Sequence, residues 1–284
     1  MHVLPESRVL RFEPAVRPLE VGDISPGELA EGRYVVRLAR THQEVQAALR
    51  LRFEVFNLER GEGLATSFAT GRDEDVLDST SHHLILIERS RRQVIGTYRL
   101  RNYENAKTPE GFYSSTEFDL SSLPIDVPKN AIEVSRACLA KSHRNASALR
   151  LLWKGLASYS MRQQKSYVFG CVSLGGQNPI EGGQLFEVLS DGGHLHPHFR
   201  VQSQMGFKCL WYKSAGSDRR TATLRNPIQP YLQMGAKVCG PPAMNRQFRT
   251  IDFFTILNLK EVEPRMSSLL FRTREGTHEF ARSA

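Results

Sequence analysis

Glu133 and Arg136 stand three residues apart inside an otherwise apolar run, Ala131-Ile132-Glu133-Val134-Ser135-Arg136-Ala137-Cys138-Leu139. Charge is costly to bury unless it is paired or put to use. A strand that keeps a carboxylate and a guanidinium in its middle is therefore either a structural ion pair or the floor of a reactive site. A carboxylate whose pKa is raised by burial can act as a general base. Ser135 shares a face with Glu133 and can donate a hydrogen bond, or it is simply a small packing residue. Strict alternation puts Arg136 on the opposite face, so the two charges meet only if the strand bulges between them.

Other residues could do chemistry at a distance. Asp75 and Asp78 have two readings, as clamps for Arg52 and Arg99 or as partners for a substrate ammonium group. Lys141, His143 and Arg144 crowd one turn before Asn145, Ala146 and a predicted helix. Free backbone N–H groups at a helix N-terminus, with positive charge beside them, suit a phosphate such as that of a pantetheine arm, although many basic turns bind nothing. His194, His196 and His198 alternate on an extended segment, which lines three imidazoles along one face as a zinc site would. Only Asp191 stands near enough to close such a site, and we expect no metal there. Cys138, Cys171, Cys209 and Cys239 form no zinc spacing. They read as reduced, mostly buried thiols of a cytosolic protein.

The elements that position these groups follow from periodicity and punctuation. Residues 1 to 33 carry four prolines and no sustained period, and read as an extended arm. A strand is predicted at 34–38. A helix starts after Thr41, with Glu44 in the capping-box position, and runs to about Glu59. Residues 61–71 read as a flexible loop. Strands at 83–88 and 93–101 form a hairpin across the basic turn Arg89–Arg92. The 131–139 strand feeds a helix over 147–164, and 167–173 is a further strand. From 174 to 226 the pattern dissolves among glycine pairs. A short helix at 228–234, ending at Gly235, and strands at 236–239 and 251–258 close the chain. That order is an α/β (α+β) layout with a largely antiparallel front.

The chain has 284 residues, 40% of them hydrophobic, and a formal net charge of +8. No apolar run approaches the ~18 residues of a membrane span, and the N-terminus lacks a signal pattern. The basic balance favours anionic partners: an acidic protein, an anionic membrane surface or nucleic acid. No nucleic-acid motif accompanies it, and nucleic-acid binding is not expected.

Leu51-Arg52-Phe53-Glu54-Val55-Phe56 resembles the LR-x-x-VF helix of acyl-carrier-protein-dependent acyltransferases on the Gcn5-related N-acetyltransferase fold. In the same order follow Asp75-Val76-Leu77-Asp78, His83-Leu84, Val94-Ile95-Gly96-Thr97-Tyr98-Arg99-Leu100, Gly111-Phe112-Tyr113-Ser114 and Glu117-Phe118-Asp119-Leu120. Then come Glu133-Val134-Ser135-Arg136-Ala137-Cys138, Phe169-Gly170-Cys171-Val172-Ser173-Leu174, Tyr231-Leu232-Gln233-Met234-Gly235-Ala236-Lys237-Val238 and Asp252-Phe253-Phe254. Together they resemble the ornithine N-acyltransferase family over residues 34 to 271. Acyl-homoserine-lactone synthases and N-acyl amino acid synthases share a shorter subset, mainly Arg52, Asp78, Arg99, Glu133 and Arg136. Arg144-Asn145-Ala146-Ser147 stands where acetyl-CoA-dependent relatives have a glycine-rich loop. His82 stands where the family often has Asp, and Val134 where Gly is common, which leaves the acceptor's identity open.

The resemblance implies a mixed, mostly antiparallel central sheet flanked by helices, with an insertion before the C-terminal strands. It implies one acyltransferase domain over 34–271, with 272–284 as a tail and 174–226 as lid and wall of an acyl channel. The implied reaction moves a 3-hydroxy fatty acyl group from acyl carrier protein to the α-amine of ornithine, giving lyso-ornithine lipid. Glu133 would be the base, with Arg136 and Ser135 beside it. Arg52, Phe56, Asp75, Asp78, Arg99, Ser173, His194 and His196 would meet substrate. Lys141, His143, Arg144, Asn145 and Ala146 would hold the donor's phosphopantetheine. No permanently bound cofactor is expected, and acyl carrier protein is the expected partner of a cytoplasmic enzyme, either soluble or peripheral on the inner face of the membrane. The rivals are a synthase for another N-acyl amino acid, a homoserine-lactone-type synthase and a non-catalytic acyl-binding module.

Overall fold

The structure, a computed structural model, describes residues 27–211 and 227–262. Its strands in chain order are β1 Leu29–Glu31, β2 Tyr34–Leu38, β3 His82–Glu88, β4 Gln93–Asn102, β5 Phe118–Asp119, β6 Ala131–Leu139, β7 Tyr167–Gly175, β8 Gln202–Ser203, β9 Lys237–Val238, β10 Ala243–Asn245 and β11 Thr250–Asn258. Its helices are α1 His42–Arg52, α2 Ser114–Glu117, α3 Asp126–Lys129, α4 Ala146–Arg162, α5 Pro179–Asp191 and α6 Gln229–Gln233. Alternation along the strands sets the layers. Leu84, Leu86, Leu100 and Ile132 face Leu151, Leu152 and Tyr159 of α4. Ile85 and Ile87 point the other way, against Ala48 of α1. A cluster of Phe112, Phe118, Phe169 and Phe254 fills the middle of that second face.

The main sheet runs β1-β2-β3-β4-β6-β7-β11-β10, with β9 also beside β11. Every pairing of these strands is antiparallel except β6 with β7. That parallel pair joins only Ala131–Glu133 to Tyr167–Phe169. Beyond it β6 stays bonded to β4 as far as Leu139, and β7 to β11 as far as Gly175. The sheet therefore forks. The facing edges of the two strands carry backbone N–H and C=O groups with no strand between them, and such groups need partners when water is excluded. Gly170 stands at the base of the fork, where a Cβ would lie 2.2 Å from the Val134 carbonyl oxygen.

Several expectations change. The arm expected over 1–33 lies outside the described residues as far as 26, but Leu29–Glu31 pairs with β2 as a strand. Glu31 is tied to Arg150 and Lys154 of α4, so this part of the arm belongs to the fold. Thr41 caps α1 as expected, whereas the Glu44 carboxylate reaches back to the Arg40 amide, one residue short of a capping box. After Arg52 the helix continues over Phe53–Arg60 as a wider π-helical turn, which carries Phe56 and Arg60 toward the fork. The loop 61–71 contains a 3₁₀ turn at Ala65–Ala69. The segment from 174 contains a 13-residue helix, α5. Gly182 and Gly183, which broke its pattern, let its backbone lie against Ile251 and Trp211. Residues 212–226 of that insertion and the tail 272–284 lie outside the described residues. Among the described residues no helix is long and apolar enough to cross a membrane.

Candidate active site

Glu133, Ser135, Arg99 and Arg101 share the sheet face opposite α4, because they alternate with Ile132 and Leu100. The open question was whether Arg136 joins them. Thr97 pairs with Cys138 and Arg99 with Ser135, so β6 takes three steps where β4 takes two. The extra residue is a bulge, and Arg136 sits in it at φ 51°. Left-handed backbone costs a non-glycine residue about 1–2 kcal/mol, so the position is strained. The bulge turns Arg136 onto the same side as Glu133. Its guanidinium lies 4.0 Å over the Phe248 ring, 5.7 Å from Phe56 and 6.0 Å from Tyr113.

Three arginines and three aspartates interleave above this floor. Arg52 donates to Asp73 at 2.6 and 2.8 Å and to Asp78 at 2.6 Å. Arg99 donates to Asp75 at 2.5 Å, to Asp78 at 3.3 Å and to Ser135 Oγ at 3.0 Å. Arg136 approaches Asp73 at 3.5 Å and Asp75 at 3.9 Å. Burial alone would raise the Asp78 carboxyl, but Arg52 and Arg99 outweigh it and hold it far below the usual carboxylate range. Asp75 is lowered in the same way, by Arg99 against burial. Asp78 is thus a clamp, while Asp75, at 21% side-chain exposure, is the carboxylate open to the cleft. Arg136 is the loosely held arginine: its side chain is only 10% exposed, and Nε and Nη2 face Asp73 and Asp75 without hydrogen-bond geometry.

Glu133 is fully buried, and its oxygens accept the backbone N–H groups of Tyr113 and Ser114 at 2.8 and 2.7 Å. Burial raises its pKa against those bonds. A sealed carboxylate that already holds two amides buttresses the Tyr113–Ser114 turn, and its geometry is not that of a base facing substrate.

A model of the acetyltransferase (GNAT) domain matches residues 51–154, from the end of α1 to the first half of α4. The L-ornithine N(alpha)-acyltransferase of Agrobacterium fabrum (strain C58 / ATCC 33970) is 35% identical over 251 residues, covering 84% of this chain and 85% of that protein. The chain belongs to the L-ornithine N(alpha)-acyltransferase family. The family's protein from Brucella abortus (strain 2308) is 29% identical, over 84% of this chain and 88% of its own. Among solved structures, an N-acyl amino acid synthase from uncultured soil microbes covers 81% of this chain and 92% of its own at 14% identity and TM-score 0.47. A CoA-dependent acyl-homoserine lactone synthase covers 81% of each chain at 15% identity and TM-score 0.45. The protein is therefore an acyltransferase on a GNAT fold.

This acyltransferase places the other expected site residues as follows. Phe56 is buried beside Arg136, and Ser173 is exposed on the β7 edge of the fork. Lys141, His143, Arg144, Asn145 and Ala146 gather at the α4 N-terminus, where β6 ends. Asn145 caps the helix by accepting the Ala148 amide. Arg144 is already engaged, bidentate to Glu59 at 2.5 and 2.7 Å. His194 and His196 are not brought to the site. Their backbones bracket Val238, which pairs with Thr255, three residues along β11 from Asp252 and one strand farther out. His196 Nδ1 accepts the His198 and Phe199 amides, and its ring stacks on Phe199 at 4.1 Å. The alternating histidines lie on a backbone-anchored loop, with Leu195 packed in the cluster that holds Val238. Burial pushes the Cys138 thiol up to about 12, which suits packing and not nucleophilic attack.

Sequence reasoning missed Asp73, Arg101, Glu117 and Phe248. Asp73 shares Arg52 with Asp78. Arg101, fully buried, ties Thr80, Ser81 and the Asn105 carbonyl together. Asp252 carries the same signal as Glu133, a charge inside an apolar strand.

Proposed function

We propose that this chain joins a 3-hydroxy fatty acyl group, carried as a thioester on acyl carrier protein, to the α-amine of L-ornithine, giving lyso-ornithine lipid. The observation that carries the reading is the β6–β7 fork with Arg136 bulged into it. A pantetheine arm is an extended chain with two amides, and the unpaired strand edges offer it complementary donors and acceptors. Its phosphate would rest at the α4 N-terminus near Lys141, His143 and the Ala146 backbone. The thioester carbonyl then lies between β6 and β7, where backbone N–H groups can hold the developing oxyanion.

Ornithine brings a carboxylate and two ammonium groups. Arg136, whose two buried donors meet Asp73 and Asp75 without hydrogen-bond geometry, takes the α-carboxylate in this reading, and the ring of Phe248 fixes its plane. Asp75 takes the side-chain ammonium. Ser135 and Arg99 hold the floor, and Glu133 fixes the turn that carries Tyr113. The exposed edge at Ser173 leads into the insertion, whose residues 202–207 pass over the 117–119 segment through the β5–β8 pair and supply one wall of the acyl channel. The acidic carrier docks on the basic surface, and the apolar product leaves toward an anionic membrane surface. The reading is tested by incubating the protein with 3-hydroxyacyl carrier protein and a panel of amino acids, with products identified by mass. Acyl-ornithine should dominate, and preferential acylation of another amino acid would refute it.

A further inference from the structure

A second pair of acids lies behind the fork, apart from the arginine–aspartate cluster. Glu117, the last residue of α2, is fully buried, and Asp252 on β11 is 2% exposed. Glu117 Oε1 accepts from the Tyr113 hydroxyl and the Asn245 side-chain amide, both at 2.7 Å. Asp252 Oδ2 accepts from Thr250 Oγ1 at 3.1 Å. Glu117 Oε2 and Asp252 Oδ1 are buried without a hydrogen-bond donor, and each acid stands within reach of the other's charge. Two carboxylates buried side by side repel when both are ionised, and one proton held between them relieves the repulsion. Two acids are a costly filling for a layer that also holds Phe118 and Phe254.

The sheet register links the pair to the fork. Ser173 is the cross-strand neighbour of Asp252 and is exposed on the β7 edge of the fork. Across the fork, on β6, stands Arg136, whose nine-tenths buried guanidinium takes the acceptor's carboxylate in the reading above. We propose that Glu117 and Asp252 form a proton-holding pair that receives, through the Ser173 hydroxyl, the proton shed by the acceptor amine. The proposal rests on the function given above.

The proton count closes. The α-ammonium gives one proton to Ser173 as Ser173 passes its own to the pair. The neutral nitrogen attacks the thioester carbonyl, the C–N bond forms and the C–S bond breaks. The second proton from nitrogen goes to the departing thiolate, leaving the pantetheine thiol. The pair then returns its proton to solvent by the same serine, and one proton is released per turnover. The charged and titratable groups around the pair are Arg136 of β6, Tyr113 at the head of α2, Cys171 of β7 and Glu62 beside Gly175. Burial raises both acids, Glu117 well above the carboxylate range with the Asp252 charge adding to it. Burial and the Asp252 charge also raise Glu62, which Arg60 opposes.

The test measures kcat and KM for ornithine against pH, with acyl carrier protein as donor, in the full-length wild type and in Asp252→Asn, Glu117→Gln and Ser173→Ala. The proposal expects kcat near neutral pH to fall by about 100-fold in the pair variants and tenfold or more in Ser173→Ala. KM should stay within about twofold, and the deficit should narrow at alkaline pH, where free amine is already abundant. Profiles parallel to wild type, or a loss confined to KM, would overturn it. Ser173 is exposed, so Ser173→Ala decides the matter if a buried variant fails to fold. A wild type that makes no acyl-ornithine refutes the function and this proposal together. A wild type that does, with Ser173→Ala unchanged, refutes this proposal alone.

Discussion

At the residue scale the site turns on one strained arginine. Arg136 has left-handed backbone, lies 4.0 Å over the Phe248 ring and meets Asp73 and Asp75 only as loose ion pairs, so its guanidinium is free to turn to a substrate carboxylate. Arg136→Lys keeps the charge and the backbone penalty but removes the planar fork. We expect kcat/KM for ornithine to fall on the order of 30-fold, about 2 kcal/mol, mostly through KM. An unchanged KM would place the carboxylate elsewhere. Glu133 answers differently. Gln at 133 would face a backbone N–H with its own NH₂, and a buried donor left unsatisfied costs about 1–3 kcal/mol. Glu133→Gln should therefore lower Tm and activity together. Lost activity at an unchanged Tm would restore Glu133 as the base.

At the scale of elements, the fork depends on two strands that touch and then part. Gly170→Ala would drive a methyl into the Val134 carbonyl, a backbone atom that cannot swing aside. The β6–β7 contact should open, destabilising the fold by about 1–3 kcal/mol and raising KM for the acyl donor. A thermal melt and donor kinetics check both, and a wild-type melt would remove Gly170 from the account. Much at this scale was legible in the chain. The 131–139 strand, the hairpin before it and the helix after it announced themselves by period, and Thr41 and Asn145 cap helices as their types suggest. What escaped is what the third dimension decides. No local pattern marks α5, because Gly182 serves close packing against Ile251 of β11 and Gly183 against Trp211. Asp73 and Asp78 were equally visible as acids, but their sharing of Arg52 is set by a loop's path. The bulge at Arg136 could be posed as a question from spacing and answered only by register.

At the scale of the whole molecule, charge and topology set the partner. The chain carries a formal net charge of +8, and its sheet holds a fork between β6 and β7. An acidic carrier would be drawn by that field, and exposed charges are screened beyond ~8 Å at physiological salt. Raising salt should therefore depress kcat/KM for acyl carrier protein steeply while leaving KM for ornithine nearly flat. A donor response as flat as the acceptor's would remove the basic surface from the mechanism. The most direct measurement labels ornithine with ¹⁵N at the α-nitrogen only and supplies 3-hydroxyacyl carrier protein to the wild type. The account predicts an acylated product in which tandem mass spectrometry finds the label in the amide. A label found in the remaining free amine, or no acyl transfer to ornithine at all, would contradict it.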